Sequence, residues 1–377
     1  MKPRVHLLYE HGDDKKPFGS AYIRLLRPFS HPVLQNQFEV TSGLTYDNQS
    51  VEAVIVDRLW RPDISVELAT DLIERVHQHG SRLIYSLDDN FLDLPTEGKD
   101  WVLTPERRQL VELFLARANQ VIVTTPNLKT RFLSYNPNII VIPNILDERL
   151  LSLTNLWREN SSVVTLKTML RYSLAKLKKR LRPTRPLVIG YMGTWTHDDD
   201  LRMILPALQA INQRYQGQIT FEFVGVMARP ETVQALEGLP IKLIVPPSDA
   251  ITYPQFMPWF TSMLAWDIVI APLQDTPFNQ CKSHIKFLDY SALGVAGIYS
   301  RVPAYESTVC HGETGWLTEN RTEAWERALD ELVTNISLRE NLTRKATQSL
   351  YQNWILTNNG EYWRKALNVS GEDFSIK

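Results

Sequence analysis

Two lysines one helical turn apart, Lys282 and Lys286, precede Asp289 in the stretch 277–294. If a helix begins near Ser283, these three side chains fall within about 60° of one another, and Ile285, Leu288 and Ala292 form a separate apolar arc. Two ammonium groups at a helix start oppose the helix dipole and repel each other, each effect worth about 0.3–1 kcal/mol. Asp289 can neutralise one of them. A phosphate or diphosphate at the helix N-terminus would satisfy both lysines and the unpaired backbone N–H groups, which makes anion binding the chemistry these residues suit. A solvated charged turn is the alternative reading.

A second stretch that could hold phosphate is Gly190-Tyr191-Met192-Gly193-Thr194-Trp195-Thr196-His197-Asp198-Asp199-Asp200, which leaves an apolar run and enters a helical pattern. It lacks the GxGxxG spacing of dinucleotide folds. Asp198–Asp200 read equally as helix caps, and His197 reads either as a functional imidazole or as an ordinary loop histidine.

The elements that must position these residues follow from the pattern of apolar runs. Met1–Glu10 reads as a buried first strand. The β-branched runs Ala53–Val56, Arg82–Tyr85, Gln120–Val123 and Ile139–Ile142 suit strands covered on both faces, with helices expected over 66–79 and 105–118 between them. The pattern stops near Leu150 and restarts at Leu187–Tyr191. A helix over 200–215 follows, then strands at 220–224, 241–245, 267–270 and 297–300, and helices over 323–350. This alternation predicts two successive α/β domains with parallel sheets, 1–150 and 187–350, and a tail over 351–377 containing Tyr351, Trp354, Tyr362 and Trp363.

The connector 151–186 differs in composition. Residues 157–186 hold nine basic residues and one acidic, a net +8, with Leu166, Met169, Leu170, Leu174, Leu177 and Leu181 at helical spacing. A basic amphipathic helix is expected, packed on its own domain, held at an anionic membrane surface, or bound to a protein partner. The whole chain of 377 residues balances 41 basic against 42 acidic residues, so nothing in its net charge favours non-specific nucleic-acid binding. Two cysteines, Cys281 and Cys310, provide neither a disulfide framework nor a thiolate metal cluster, which points to a reducing, cytoplasmic setting. No apolar window approaches the roughly 18 residues of a membrane span. Any membrane attachment would therefore be peripheral, at the inner face.

With these residues in place, the sequence resembles the retaining GT-B glycosyltransferases of the family-4 (group 1) type, over nearly its whole length. Thr124-Thr125-Pro126-Asn127-Leu128 followed by Val141-Ile142-Pro143-Asn144-Ile145-Leu146-Asp147 resembles the end of that family's first domain. Asp267–Leu273 through Ser300, then His311-Gly312-Glu313-Thr314-Gly315-Trp316-Leu317, resembles its donor-binding half. The resemblance implies an α/β protein of two Rossmann-like α/β/α domains facing across a cleft, and a tail that crosses back to the first domain. It also implies a nucleotide-sugar donor, a glycan or lipid-linked glycan acceptor, retention of anomeric configuration and no metal or other cofactor.

Position by position, Asp289 falls on the second glutamate of the family's E-x7-E motif, which holds donor ribose hydroxyls. The first glutamate falls on Cys281. Thr194 and Asp200 stand where the family's diphosphate-binding Arg and Lys usually are, so Lys282 and Lys286 are the expected substitutes. A subgroup pattern, Asn-x-x-Lys-Ser-x-x-Lys-x-x-Asp/Glu-Tyr, matches Asn279, Lys282, Ser283, Lys286, Asp289 and Tyr290. Gly193, Thr194 and His197 would then border the phosphates or the sugar. On the acceptor side, Asp88 and Asp89 follow a strand and are expected to hydrogen-bond the acceptor hydroxyl, with an Asx turn as the alternative. Gly19 and Arg24 lie in the first strand-to-helix loop, where the resemblance implies that acceptor and donor phosphate are admitted. Two other activities fit the same residues: nucleotide-sugar 2-epimerisation, and nucleotide-sugar binding without catalysis, which the replaced motif positions would suit.

Overall fold

The computed structural model describes residues 2–94, 103–151, 185–226 and 229–367. The basic helix expected within 157–186 lies outside the described residues apart from Arg185 and Pro186, as does the end of the tail, 368–377. Arg185, one of the nine basic residues counted in that segment, has Nη1 and Nη2 on the Asp267 carboxylate at 2.5 and 2.6 Å. Its charge is spent on a structural ion pair. Among the described residues no helix is long and apolar enough to cross a membrane.

The described residues form two units. The first takes 1–147, 281–283 and 356–377; the second takes 148–280 and 284–355. These limits differ from the sequence expectation in one instructive place: three residues from inside the donor-side half, Cys281–Ser283, group with the first unit.

The first unit is built on β1 (Arg4–Leu8), β2 (Glu39–Gly43), β3 (Ala53–Asp57), β4 (Arg82–Leu87), β5 (Gln120–Val123) and β6 (Ile139–Val141). They form one parallel sheet in the order β2-β1-β3-β4-β5-β6. All of β3 and β5 is buried, as β-branched runs between two helical layers should be. A helical stretch α1 (19–30, with a π turn at Tyr22–Leu26) and helices α2 (Val66–Gln78), α3 (Pro105–Arg117) and α4 (Pro126–Phe132) cover the sheet. Ser65, Thr104 and Thr125 cap the last three, each accepting from a backbone N–H three residues on. On one face Leu25, Phe29 and Leu34 pack with Trp363, Ala366 and Leu367 of α12 (Glu361–Leu367), so the described part of the tail closes this core.

The second unit has β7 (Leu187–Met192), β8 (Ile219–Val224), β9 (Ile241–Ile244), β10 (Ile268–Ala271), β11 (Ala296–Ser300) and β12 (Trp316–Thr318) in the order β12-β11-β10-β7-β8-β9, again parallel. Its helices include α5 (Asp198–Met203), α6 (Leu205–Arg214), α7 (Pro230–Ala235), α8 (Tyr253–Met263), α9 (Ile285–Leu293), α10 (Thr322–Thr334) and α11 (Ile336–Asn353). The single helix expected over 200–215 is two, divided at Ile204 just before Pro206, and that over 323–350 is divided at Asn335, which caps α11. Ile189, Tyr191, Phe221, Phe223, Ile268, Ile270 and Ile298 form its core with Leu208, Trp325 and Leu329.

In each sheet the chain runs to one side of the first strand and then returns to the other. The reversal falls between β1 and β3 in the first unit and between β7 and β10 in the second. Ligands of open α/β sheets bind beyond the carboxyl ends of the strands at such reversals.

Candidate active site

At the reversal in the second unit, β7 ends at Met192 and the chain passes through Gly193 and Thr194 into a short 3-10 turn, Trp195–His197, and then α5. Gly225 lies under this loop with φ +74°, and a Cβ there would stand 2.3 Å from the Gly193 carbonyl oxygen, so only glycine lets β7 and β8 end this close together. The Thr194 hydroxyl meets that of Thr196 at 2.7 Å.

The three aspartates do more than cap. The residue at the cap position is His197, which makes no side-chain cap bond. Asp198, fully buried, accepts from the Arg229 backbone N–H at 3.2 Å, and Asp199 pairs with the Arg229 guanidinium at 3.3 Å. Asp200 accepts from the Gln274 backbone N–H at 2.7 Å through Oδ1 and meets His197 Nδ1 at 2.8 Å through Oδ2. The loop after β7 is thus tied to the loop after β10, across the reversal. Asn279 completes that second loop: its Nδ2 donates to the Gln274 carbonyl at 2.9 Å.

The helix expected to begin near Ser283 begins at Ile285, after His284. Lys282 therefore precedes it, and the single helical face drawn through Lys282, Lys286 and Asp289 holds only for the last two. Lys286 and Asp289 are both buried in the second unit. The Lys286 ammonium lies 5.3 Å from the Tyr191 ring centre, a cation–π contact. Asp289 accepts from the Tyr253 hydroxyl at 3.1 Å. Burial pushes its carboxyl up to about 7, against the opposing pull of that hydroxyl and of Lys286. Tyr290 joins the same helix to the strand ends, accepting from the Met192 N–H at 3.0 Å and donating to the Ile270 carbonyl at 3.2 Å. Gly294 ends the helix in the left-handed conformation, φ +72°.

Cys281, Lys282 and Ser283 have their partners in the first unit. Cys281 is buried; its carbonyl accepts from the Thr125 hydroxyl at 2.9 Å, and Asn90 Nδ2 lies 3.5 Å from its sulfur. Burial pushes the thiol up to about 11, so it is a neutral packing group rather than an anionic stand-in for the family's glutamate. Ser283 Oγ accepts from Asn144 Nδ2 at 2.8 Å, and Lys282 Nζ lies 3.4 Å from Asp89 Oδ1.

Asp88 and Asp89 follow β4, and both carboxylates meet one arginine. Arg58, at the end of β3, takes Asp88 in a two-point grip at 2.5 and 3.0 Å, Asp89 at 3.1 Å and Glu10 at 3.3 Å, with its guanidinium carbon 5.3 Å from the Phe91 ring centre. Arg58 has φ +48°, a conformation that bulky residues seldom adopt. Burial works against its charge, yet Asp88, Glu10 and Asp89 outweigh burial and hold the guanidinium protonated. Glu10 is raised by burial, with Arg58 opposing.

Arg24, expected in the loop that admits acceptor and donor phosphate, is buried. It donates to the Ile142 and Pro143 carbonyls at 2.8 and 3.2 Å and to Asn144 Oδ1 at 3.1 Å, fixing the Ile-Pro-Asn turn. Burial pushes the pKa of its guanidinium down to about 10. Gly19 is exposed at the first position of α1.

Sequence reasoning missed Arg58, Asp57 and Glu10. A usable signal existed for the first two: both sit at the carboxyl end of the run 53–56, where ligand residues of parallel sheets gather. Asp57 is fully buried, and burial next to the Asp88 and Glu10 carboxylates pushes it up to about 8 from an ordinary 3.8. Between these two values the folded chain must hold a proton that the unfolded chain has released, so stability present at pH 4 is lost as pH rises toward 8. Asp57→Asn is expected to be more stable than the wild type by over ~1 kcal/mol at pH 8, with the gain fading toward pH 4. Urea unfolding at pH 4, 6 and 8 measures this, and equal gains at all three would contradict the assignment.

Comparison with known proteins places these observations. Residues 186–335 match the family Glycosyl transferases group 1. No curated protein matches the chain in sequence. Among solved structures, Alr3699/HepE of Anabaena, crystallised with UDP and glucose, is similar with a TM-score of 0.63 at 14% identity, covering 97% of this chain and 99% of that one. Sucrose-phosphate synthase of Thermosynechococcus elongatus gives 0.63 at 13% identity, over 97% of this chain and 99% of its own. A glycosyltransferase of Rickettsia africae gives 0.61 at 11%, over 98% of this chain and all of its own. At these identities the likeness establishes the fold, and the fold is the two-unit α/β architecture of GT-B proteins.

Proposed function

We propose that the protein is a glycosyltransferase that moves a sugar from a nucleotide-sugar donor to a hydroxyl acceptor, with retention of configuration. The carrying observation is the strand reversal in the second unit. There the Gly193–Asp200 loop, the Gln274 loop and helix α9 with Lys286 and Asp289 meet the carboxyl ends of β7 and β10, inside the span that matches the group 1 family. A buried ammonium beside a helix start suits a diphosphate, and a buried carboxyl one turn on suits sugar hydroxyls of the nucleoside. The UDP-bound structure of Alr3699/HepE supports a nucleotide donor.

In the reaction, the bond from the anomeric carbon to the diphosphate oxygen breaks and its electron pair leaves with the diphosphate. The acceptor oxygen bonds to that carbon, and its proton passes to a diphosphate oxygen, so no separate strong base is required. We assign charge neutralisation on the diphosphate to Lys286 with Lys282 rather than to a metal, and acceptor handling to Asp88 and Asp89, whose placement Arg58 determines. A growing polysaccharide or lipid-linked glycan is the acceptor class we favour.

A melting screen against UDP-glucose, GDP-mannose, dTDP-glucose and ADP-glucose tests the donor half of this reading. At 100 times Kd the correct nucleotide sugar adds ~2.7 kcal/mol of stability. No stabilisation by any of the four would remove the nucleotide-sugar reading. Incubation with donor alone separates transfer from epimerisation, since an epimerase converts donor to an isomer without acceptor.

A further inference from the structure

We propose that the second unit associates, weakly and reversibly, with a second copy of itself by antiparallel pairing of one β9 edge with another. The inference stands apart from the catalytic reading and does not depend on it.

Strand β9 ends its sheet: it pairs with β8 on one side and, among the described residues, with no strand on the other. Natural proteins usually blunt such an edge with polar side chains or by keeping it short. Glu39, Thr41 and Ser42 do this on β2, and β12 has only three residues. By contrast, β9 presents apolar groups. Leu243 is 50% exposed and Val245, just past the strand, 83%, with Val233 on α7 and Ile251 further along at 47% and 74%. Lys242 is the one charged residue in Ile241–Ile244.

The register says which backbone groups this edge offers. The Phe221 N–H donates to the Pro240 carbonyl at 3.0 Å, and Phe221 and Phe223 lie beside Ile241 and Leu243 in a parallel pair. In such a ladder Pro240, Lys242 and Ile244 direct their backbone groups toward β8, so Ile241, Leu243 and, continuing the alternation, Val245 direct theirs outward. The Ile241 N–H is already spent on the Leu239 carbonyl at 2.7 Å, and Pro246 and Pro247 follow Val245. Leu243 and Val245 are therefore the stretch open to a new strand.

Those two positions complement themselves, which is what selects a second copy as the partner. With a two-fold axis at Ile244, Leu243 stands opposite the partner's Val245 and exchanges two hydrogen bonds with it, and the symmetry repeats the exchange. Opposed residues share a face, so Leu243 and Val245 of both copies form one apolar row. Lys242 then stands opposite the partner's Pro246 instead of another lysine, which avoids a like-charge pair. This arrangement closes on two copies, whereas a head-to-tail addition would continue into a filament. So short a strand pair belongs at the small end of interfaces, below roughly 1,200 Å² in total, and suits a dissociation constant on the order of 10–100 μM.

Sedimentation velocity of the full-length protein from about 1 to about 300 μM tests this, and the wild type should pass from monomer to dimer across that range. Leu243→Lys brings like charges into the apolar row, and Val245→Pro removes an outward N–H that no group of its own sheet uses. Each should raise the dissociation constant at least about tenfold. Hydrogen exchange of the 241–251 peptide in the wild type should slow as concentration rises, while that of the β2 peptide should not change. A wild type that stays monomeric at the highest concentration would overturn the proposal, as would growth into ever larger oligomers without a dimer plateau. So would a dimer that persists in Val245→Pro but is lost in Ile251→Ser, because the contact would then run through the apolar patch and not through the strand edge. Should Leu243→Lys fail to fold, Val245→Pro and the wild-type exchange decide the matter alone.

Discussion

Replacing Lys286 with alanine should lower the turnover of glycosyl transfer at least ~100-fold, a loss of roughly 3 kcal/mol or more of transition-state stabilisation. An ammonium is costly to bury, and one placed in the first turn of a helix also opposes the helix dipole. Lys286 is nonetheless only 8% exposed. What it touches gives partial compensation: the Tyr191 ring face at 5.3 Å and the nearby Asp289 carboxyl, which burial has pushed up to about 7 and which therefore carries only part of a negative charge near neutrality. A cation held so expensively becomes most favourable when an anion grows beside it, and the departing diphosphate is such an anion. The effect should fall mainly on kcat, because the charge on the diphosphate increases as the sugar bond breaks. Lys286→Arg should retain part of the activity, and Lys286→Met should be at least as stable as the wild type. Near-wild-type turnover in Lys286→Ala would remove this lysine from the mechanism. Lys282 is expected to matter less than the sequence implies, since its ammonium is already shared with Asp89 at 3.4 Å.

This difference between two lysines shows what was legible in the chain. Strand positions were readable wherever burial on both faces demands an unbroken apolar run, as at β3, β5 and β10. The two strands not anticipated, β2 and β12, are sheet edges: Glu39–Gly43 is mostly exposed, and Trp316–Thr318 is only three residues long. Edge position alone is not the reason, since the edge strands β6 and β9 were readable from apolar runs; Glu39–Gly43 holds only one apolar side chain, Val40. The helix start at 283 was misplaced because hydrophobic spacing continues through Ser283, whereas Asn90, Thr125 and Asn144 hold Cys281–Ser283 in a non-helical path. Those partners lie about 140 to 190 residues away in sequence. Asp88, Asp89 and His197 stand out in the sequence because they follow apolar strand runs, and Asp289 because it falls on a motif position of the family that the chain resembles. Arg58 also adjoins a strand end, but its partners are acids from two other loops, Glu10 after β1 and Asp88 and Asp89 after β4, and that convergence has no sequence signal.

Arg58→Ala should cost the first unit about 3–5 kcal/mol at pH 7–8, the range for removing one partner of a buried charge network. The guanidinium is the common partner of Glu10, Asp88 and Asp89, and Asp57 stands in the same field, fully buried and pushed up to about 8. Without Arg58, these carboxyl groups repel one another in a poorly solvated place. Protonation relieves that repulsion, so the deficit relative to wild type should shrink as pH falls from 8 to 5. That sign is opposite to a simple cavity, whose cost would be indifferent to pH. Alanine keeps a Cβ, so the left-handed φ of +48° is no easier to adopt in the variant and offsets none of the loss. Arg58→Lys should recover little, since a single ammonium cannot reproduce the two-point grip on Asp88 together with contacts to Asp89 and Glu10. Urea unfolding at pH 5 and pH 8 reads the stability change. If Asp88 and Asp89 handle the acceptor, as proposed, the folded variant should bind nucleotide sugar as the wild type does while losing transfer to acceptor. Normal transfer with a 3–5 kcal/mol stability deficit would confine Arg58 to holding the fold, and a pH-independent deficit would show that the carboxyl groups do not depend on its charge.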